Sequence, residues 1–404
     1  MPAPTTEPAA AAPVGRSLII VLGLLTVFGP ISMDLYLPVL PALGGELGAS
    51  TSLAQVTITA CVAGLASGQL LVGPLSDRFG RRRPLLIGVG VYVLASVLCA
   101  ISPTVEVLIM ARLLQGLAGS TGMVIAQATG RDHFEGPRLV RYYGNLAVLT
   151  GVAAIIGPLL GGLLSVITGW RGIFTVLAGL GGAIWLAAMI SFTESLPPER
   201  RTAGGRELRA GLRRLITDPG FVGPALIVGL ITGTLFAYLG GATFVLQDGY
   251  RLTPQQFSYV FAAGSVALVI GGFLSGRLSA RHGPRALLPY GLGLAAVGGT
   301  GILGTALLGL PLPIMIVSIV ALTGGAGVTG PPATALALSG HPEIAGTAAS
   351  LLGLTRYAIA AITAPLAGVA GGTSAVPLGV IVLSCVALAG LSALLLRGTV
   401  ESAG

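Results

Sequence analysis

Long apolar stretches broken by short polar loops dominate the chain. They fall at about 18–43, 52–75, 84–102, 104–130, 142–167, 171–192, 219–246, 256–276, 286–309, 312–339, 345–370 and 375–396. Each is on the scale of the roughly 20 residues that carry a helix across a ~30 Å hydrocarbon core. They are too long and too uniformly apolar for the roughly ten alternating residues of a membrane barrel strand. The pattern predicts an all-α integral membrane protein with twelve transmembrane helices. The longest polar stretch, 193–217, separates windows six and seven. The expected organisation is therefore a disordered cytoplasmic arm (1–16), a six-helix bundle (17–192), a cytoplasmic linker (193–217), a second six-helix bundle (218–397) and a short cytoplasmic tail (398–404). Residues 206–216 of the linker read as an amphipathic helix lying on an anionic leaflet.

Composition sharpens this picture. Of the 404 residues, 53% are hydrophobic and only 9% charged, against about 25% charged in a soluble domain. All 22 basic residues are arginine, and with the N-terminus inside, eighteen of them fall in segments on the inner face. Only Arg171 and Arg251 fall on the other face, and Arg112 and Arg356 lie within spans. Basic residues collect on the cytoplasmic side, so both termini are expected there, in a multi-pass membrane protein. The net charge of +8 orients the chain and does not argue for nucleic acid. The first sixteen residues lack a convincing cleavage site and do not read as a signal peptide. Cys61, Cys99 and Cys385 each sit in an apolar window without metal-ligand or disulfide spacing. No metal and no cofactor is expected. No GxxxxGK[ST] phosphate loop occurs.

Three charged residues inside spans carry the candidate chemistry. Asp34 lies in FGPISMDLYLPVLP, where an ionised carboxylate costs about 2.5–3.5 kcal/mol on the insertion scale. It reads as a site for a proton, an ion or a cationic ligand, or else as a helix end already in the interface. Counting at ~1.5 Å per residue, Asp34 and Arg112 differ in height by about 6 Å, so a pair between them, direct or through water, is feasible. Such a pair would couple protons or cargo, or simply stabilise the first half. Arg356, near the middle of span eleven, has no obvious acidic partner in the C-terminal spans; it binds an electronegative or anionic part of a ligand, snorkels, or helps a gate close. Tyr36, Gln69, Gln115, Gln127, Asn145, Tyr238 and Tyr357 are polar or aromatic residues that either line a cavity or pack. Glu106 and Asp248 lie near the outer face and read as solvated.

An internal repeat supports two related halves. Gly73 to Leu86 reads GPLSDRFGRRRPLL, and Gly276 to Leu288 reads GRLSARHGPRALL. Both follow G-x-L-S-x-R-x-G-x-R and both sit between the second and third helix of their half, as parallel repeats do in one transporter plan. The first copy (Gly73, Asp77, Arg78, Gly80, Arg81) resembles motif A of the major facilitator superfamily. Arg112, Gln115 and Gly116 in span four resemble its motif B. GVAAIIGPLLGG in span five, with Gly151, Gly157, Pro158, Gly161 and Gly162, resembles motif C of its drug/proton antiporters. DLYLPVLP, from Asp34 to Pro41, resembles the first helix of the Bcr/CflA drug-efflux branch. The resemblance covers the whole chain; the second motif A departs from it, with Ala280 where Asp77 stands.

The resemblance implies roles. Asp77 would pair with a guanidinium from a neighbouring helix and gate the cytoplasmic side, with the motif A glycines permitting a tight turn and close helix approach; the alternative is a loop that only orients the protein. Motif C would seal span five against proton leak, or merely pack it. Asp34 and Arg112 would couple protons, and Asp34, Tyr36, Gln115, Tyr238, Arg356 and Tyr357 would contact the cargo. The expected function is proton-coupled export of small amphiphilic drugs or antibiotics by alternating access, with protons, cargo and the lipid bilayer as partners of a monomer. The alternative is proton-coupled export of an endogenous metabolite such as a sugar or amino acid. An enzyme would need clustered His, Cys or paired acids, whereas His133, His282 and His341 all fall in loops. A channel would need a repeated filter or a charge ring.

Overall fold

The computed structural model describes residues 16–134, 136–201, 205–340, 344–367 and 374–401. Residues 1–15 of the expected arm, 402–404 of the expected tail, and His341 lie outside the described residues. The elements run α1 (Arg16–Asp34), a 3-10 turn (Leu37–Val39), α2 (Leu40–Glu46), α3 (Thr51–Phe79), α4 (Arg82–Ala100), α5 (Val105–His133) and α6 (Gly136–Ser191). After the linker come α7 (Gly205–Thr217), α8 (Pro219–Phe244), α9 (Pro254–His282), α10 (Pro284–Leu308), α11 (Leu312–Ser339), α12 (Ala345–Leu366) and α13 (Val376–Glu401). No strand occurs among the described residues. The last helix runs to Glu401, so the tail expected from 398 continues it through that residue.

α6 contains 56 residues, which as one straight helix would be about 84 Å long. It is two spans instead: Gly169, at φ 64° and ψ −171°, breaks the helical path between them. The turn is tied down from outside. Trp170 Nε1 donates to Glu46 at 2.8 Å, Arg171 pairs with the same carboxylate at 3.0 Å, and the Arg171 guanidinium lies 4.0 Å over the Trp170 ring. Leaving out the linker helix α7, and counting α6 twice and α1 with α2 as one interrupted span, the described residues form twelve spans. Large apolar side chains such as Ile87, Leu94, Val166 and Ile190 are exposed, as expected of surfaces that meet lipid rather than water.

The first span is interrupted for a reason written in its prolines. Pro38 has no N–H, so the carbonyl of Asp34 loses its i+4 donor, and Pro41 does the same to Leu37. The ladder switches to i+3 bonds, Tyr36 to Met33 at 3.3 Å and Val39 to Tyr36 at 3.2 Å. Asp34 is thereby left at the end of a regular helix in the middle of the span.

Close helix packing follows the repeat. A Cβ at Gly68 would collide with Ser120 and the Leu117 carbonyl, and one at Gly88 with the Thr121 side chain. The residues at the same distances from the second motif loop, Gly271 and Gly291, would collide with the Gly324 carbonyl and with Thr329. The loops themselves match: Gly80 has φ 86° and ψ 170°, Gly283 φ 79° and ψ 153°, conformations that a side chain rarely adopts.

The halves meet along α3 with α12 and α6 with α9. Two hydrogen bonds cross between them among the described residues, both at the end away from the arginine-rich loops: Gln55 Nε2 to the Gly240 carbonyl at 3.0 Å and Gln247 Nε2 to the Pro38 carbonyl at 3.1 Å.

Candidate functional site

A cavity of about 550 Å³ lies between the halves, walled on one side by α1, α3 and α6 and on the other by α8, α9, α11 and α12. It is the size of a small-molecule site. Its walls are mostly apolar. Three of its threonines return their hydroxyls to their own helices: Thr150 to Leu146 at 2.9 Å, Thr232 to Val228 at 2.8 Å and Thr323 to Ile319 at 2.9 Å. Of the residues expected to touch cargo, Asp34, Tyr238, Arg356 and Tyr357 line this space.

Asp34 is 8% exposed and forms no ion pair with any described residue. Its seat is made by motif C. A Cβ on Gly157 would strike Asp34 Cβ, and one on Gly161 would strike the Leu35 carbonyl. These two glycines let the span-five part of α6 close directly on the end of α1. Gly162 faces the other half, where a Cβ would meet Ser258 and Gln255 of α9. Pro158 lies within the helix between them, and the helix continues through it to the break at Gly169.

Arg112 is not paired with Asp34, contrary to what their heights allowed. It is fully buried inside the first half. Nη1 donates to Gln115 Oε1 at 2.7 Å and to the Ser32 carbonyl at 3.4 Å, and Nη2 approaches Met33 Sδ at 3.2 Å. The guanidinium lies 4.6 Å over the Tyr36 ring and 5.6 Å from that of Phe174. The physical reason is azimuth: Ser32 and Asp34 are two residues apart, about 200° around the helix. One therefore faces α5 while the other faces the cavity.

Tyr36 and Gln115 belong to this cluster and are absent from the cavity wall, which corrects their expected place. Tyr36 is fully buried with its hydroxyl 2.6 Å from Thr57 Oγ1. Gln115 Nε2 donates to Ser96 Oγ at 2.8 Å. Ser96 in turn donates to the Tyr92 carbonyl, and the Tyr92 hydroxyl meets Ser32 Oγ. The participation of Ser32, Thr57, Tyr92 and Ser96 was not read from sequence; single hydroxyls on separate helices carry no spacing signal. Gln69 is partly buried where Gly353 crosses it, and Gln127 and Asn145 are exposed. Glu106 and Asp248 are exposed, as expected.

At the arginine-rich end Asp77 pairs with Arg81, whose Nε also pairs with Asp132 at 3.1 Å and whose Nη1 donates to Ser76 at 2.7 Å. Glu194 accepts the backbone N–H of Arg81 at 2.7 Å and of Arg82 at 3.3 Å. Burial works against the Arg81 charge, but the hydrogen bonds and charges of Asp132 and Asp77 outweigh it and hold the guanidinium above its ordinary pKa. Among the described residues no hydrogen bond or ion pair joins this cluster to the second half, so here it clamps the first half's own loop rather than bridging the halves. Arg78 is exposed and rests 5.2 Å over the Phe79 ring. Gly80 makes the turn, with Glu194 where its Cβ would be. Gly73 faces open space within α3, so it serves neither the turn nor a close approach.

The sequence model of the Major Facilitator Superfamily matches residues 22–365. The chain is 38% identical over 378 residues to an uncharacterized MFS-type transporter, YdgK, of Bacillus subtilis, covering 91% of this chain and 93% of that one. It is 32% identical over 326 residues to a chloramphenicol resistance protein of Pseudomonas aeruginosa, covering 78% and 75% of the two chains. In fold it is similar to the crystal structure of a bacterial homolog of the human lysosomal transporter Spinster, with a TM-score of 0.74 at 16% identity over 95% of this chain and 96% of that one. A doubled six-helix architecture, a cavity between the halves and the family match across most of the sequence together make this chain a multi-pass membrane transporter of the Major Facilitator Superfamily.

Proposed function

We propose that this transporter exports small amphiphilic drugs or antibiotics across a bacterial plasma membrane in exchange for protons. The observation that carries the reading is Asp34, a buried carboxylate with no basic partner among the described residues, on the wall of a largely apolar cavity between the halves. An unpaired acid there is stable as a proton carrier or as a partner for cargo, and the two uses exclude each other. Alternating access then turns that exclusion into exchange: cargo enters from the arginine-rich, cytoplasmic end while Asp34 releases its proton, and a proton returns from outside as cargo leaves. Arg112 would act on Asp34 through its grip on the Ser32 carbonyl and Met33, by fixing the end of α1. The largely apolar cavity wall favours an amphiphile over a sugar or amino acid, and the kinship with a chloramphenicol resistance protein points the same way.

In everted vesicles carrying a proton gradient, addition of a transported drug should dissipate the gradient. Asp34→Asn should abolish that response and protonophore-sensitive efflux while leaving cargo binding measurable. Efflux by the variant that remains gradient-driven at the wild-type rate would remove Asp34 from the coupling step.

A further inference from the structure

The second half's wall of the cavity holds two hydrogen-bond donors that the protein leaves unused. Tyr238 is 2% exposed and its hydroxyl has no partner among the described residues. Arg356 Nε is buried and likewise without a partner among them, and no described carboxylate pairs with its guanidinium. A buried donor left unsatisfied is costly, and buried polar groups are nearly always paired. Both residues line the same cavity as Asp34. Aromatic surface frames them: Tyr238 stacks on Phe261, centroids 5.6 Å apart at 16°, and Phe236 meets Tyr357 edge-on at 6.2 Å and 82°.

Resting on the exporter reading above, we propose that Tyr238 and Arg356 form the cargo-recognition pair, and that the cargo is an uncharged amphiphile presenting acceptor oxygens to them and a hydroxyl or amide N–H to the ionised Asp34. Carbonyl, nitro or sulfonyl oxygens on the compound would satisfy these donors, with its apolar body against Phe261 and Phe236. Charge balance points to the same class. With Asp34 ionised and Arg356 charged the cavity is neutral, so a neutral cargo leaves that balance intact. An organic cation without acceptor atoms can pair with Asp34, but it leaves both donors unsatisfied and sits in the field of an unpaired guanidinium. Selectivity in this site is thus set by the acceptor, because a group that fails to meet buried donors is rejected far more strongly than one that differs only in apolar bulk.

The test uses purified full-length protein in lipid nanodiscs and two probes: chloramphenicol, uncharged and rich in acceptor oxygens, and tetraphenylphosphonium, a cation with none. Wild type should bind chloramphenicol at least tenfold more tightly than tetraphenylphosphonium. Tyr238→Phe and Arg356→Gln should each weaken chloramphenicol binding about tenfold or more, the usual scale for a buried hydrogen bond to a charged or fully desolvated group; tetraphenylphosphonium binding should be unchanged in Tyr238→Phe and tighter in Arg356→Gln, where the repelling guanidinium is gone. Tyr238→Phe also separates recognition from structure: removing a hydroxyl that bonds to nothing should leave the melting temperature equal or higher while affinity falls. Chloramphenicol binding that is indifferent to both substitutions, or equal affinity for the two probes, overturns the recognition pair while the exporter reading stands. A wild-type protein that neither binds nor moves either probe against a proton gradient overturns both.

Discussion

Arg112 shows how a charge can be held in an apolar bundle without an acid beside it. Its guanidinium faces two aromatic rings, an amide oxygen and a backbone carbonyl, and a desolvated cation over a ring gains about 2 kcal/mol. Tyr36 thereby packs on Arg112, away from the cavity wall. Tyr36→Phe keeps the ring on Arg112 and deletes the bond to Thr57, so it should cost about 1 kcal/mol of stability and leave the pattern of exported compounds unchanged; a thermal melt beside a drug-resistance panel checks this. Asp34, Arg112 and Arg356 were legible in the sequence because a charge in an apolar run has few reasons to be there. The side each faces was not. Counting residues along a span yields height, and it was azimuth that sent Asp34 to the cavity and Arg112, Tyr36 and Gln115 into the first half.

At the level of elements, glycines with the same appearance in the sequence do different things. Gly161 lets α6 close on the Leu35 carbonyl, next to Asp34, whereas Gly73 sits in α3 with nothing near it. Gly161→Ala should cost about 1–3 kcal/mol as the helices are forced apart, and proton-coupled efflux should fall because Asp34 moves with the end of α1. Gly73→Ala should be tolerated, and favoured by up to about 1 kcal/mol of helix propensity. Melting temperature and efflux rate measured on both variants check the contrast. The spans and the break near Gly169 were readable from apolar windows and a polar interruption, as was the short linker helix, expected at 206–216 and found as Gly205–Thr217. The interruption of α1 was not read. Its cause was in plain view in Pro38 and Pro41, but the apolar window ran over it without a dip.

For the molecule as a whole, the halves are joined by hydrogen bond at one end only among the described residues, through Gln55 and Gln247. Each bond is worth about 1 kcal/mol, so removing both should shift the equilibrium between closed and open states at that end by roughly tenfold or more. The double variant Gln55→Leu with Gln247→Leu should show a longer distance population between spin labels on the 47–50 and 250–253 loops, measured by pulsed electron resonance. An unchanged distribution would mean that helix packing alone keeps that end shut.

Gly80 and Gly283 hold nearly the same dihedral angles, yet among the described residues only the first is gripped by carboxylates. Where Asp77 and Arg81 stand in one copy, the other has Ala280 and Pro284. The shape of the hairpin bend thus persists across a duplicated unit whose ionic fittings differ. A bend that forms with no acid against it among the described residues owes its form to the backbone, and the acids around Arg81 are a reinforcement bolted onto one side of an otherwise matched pair.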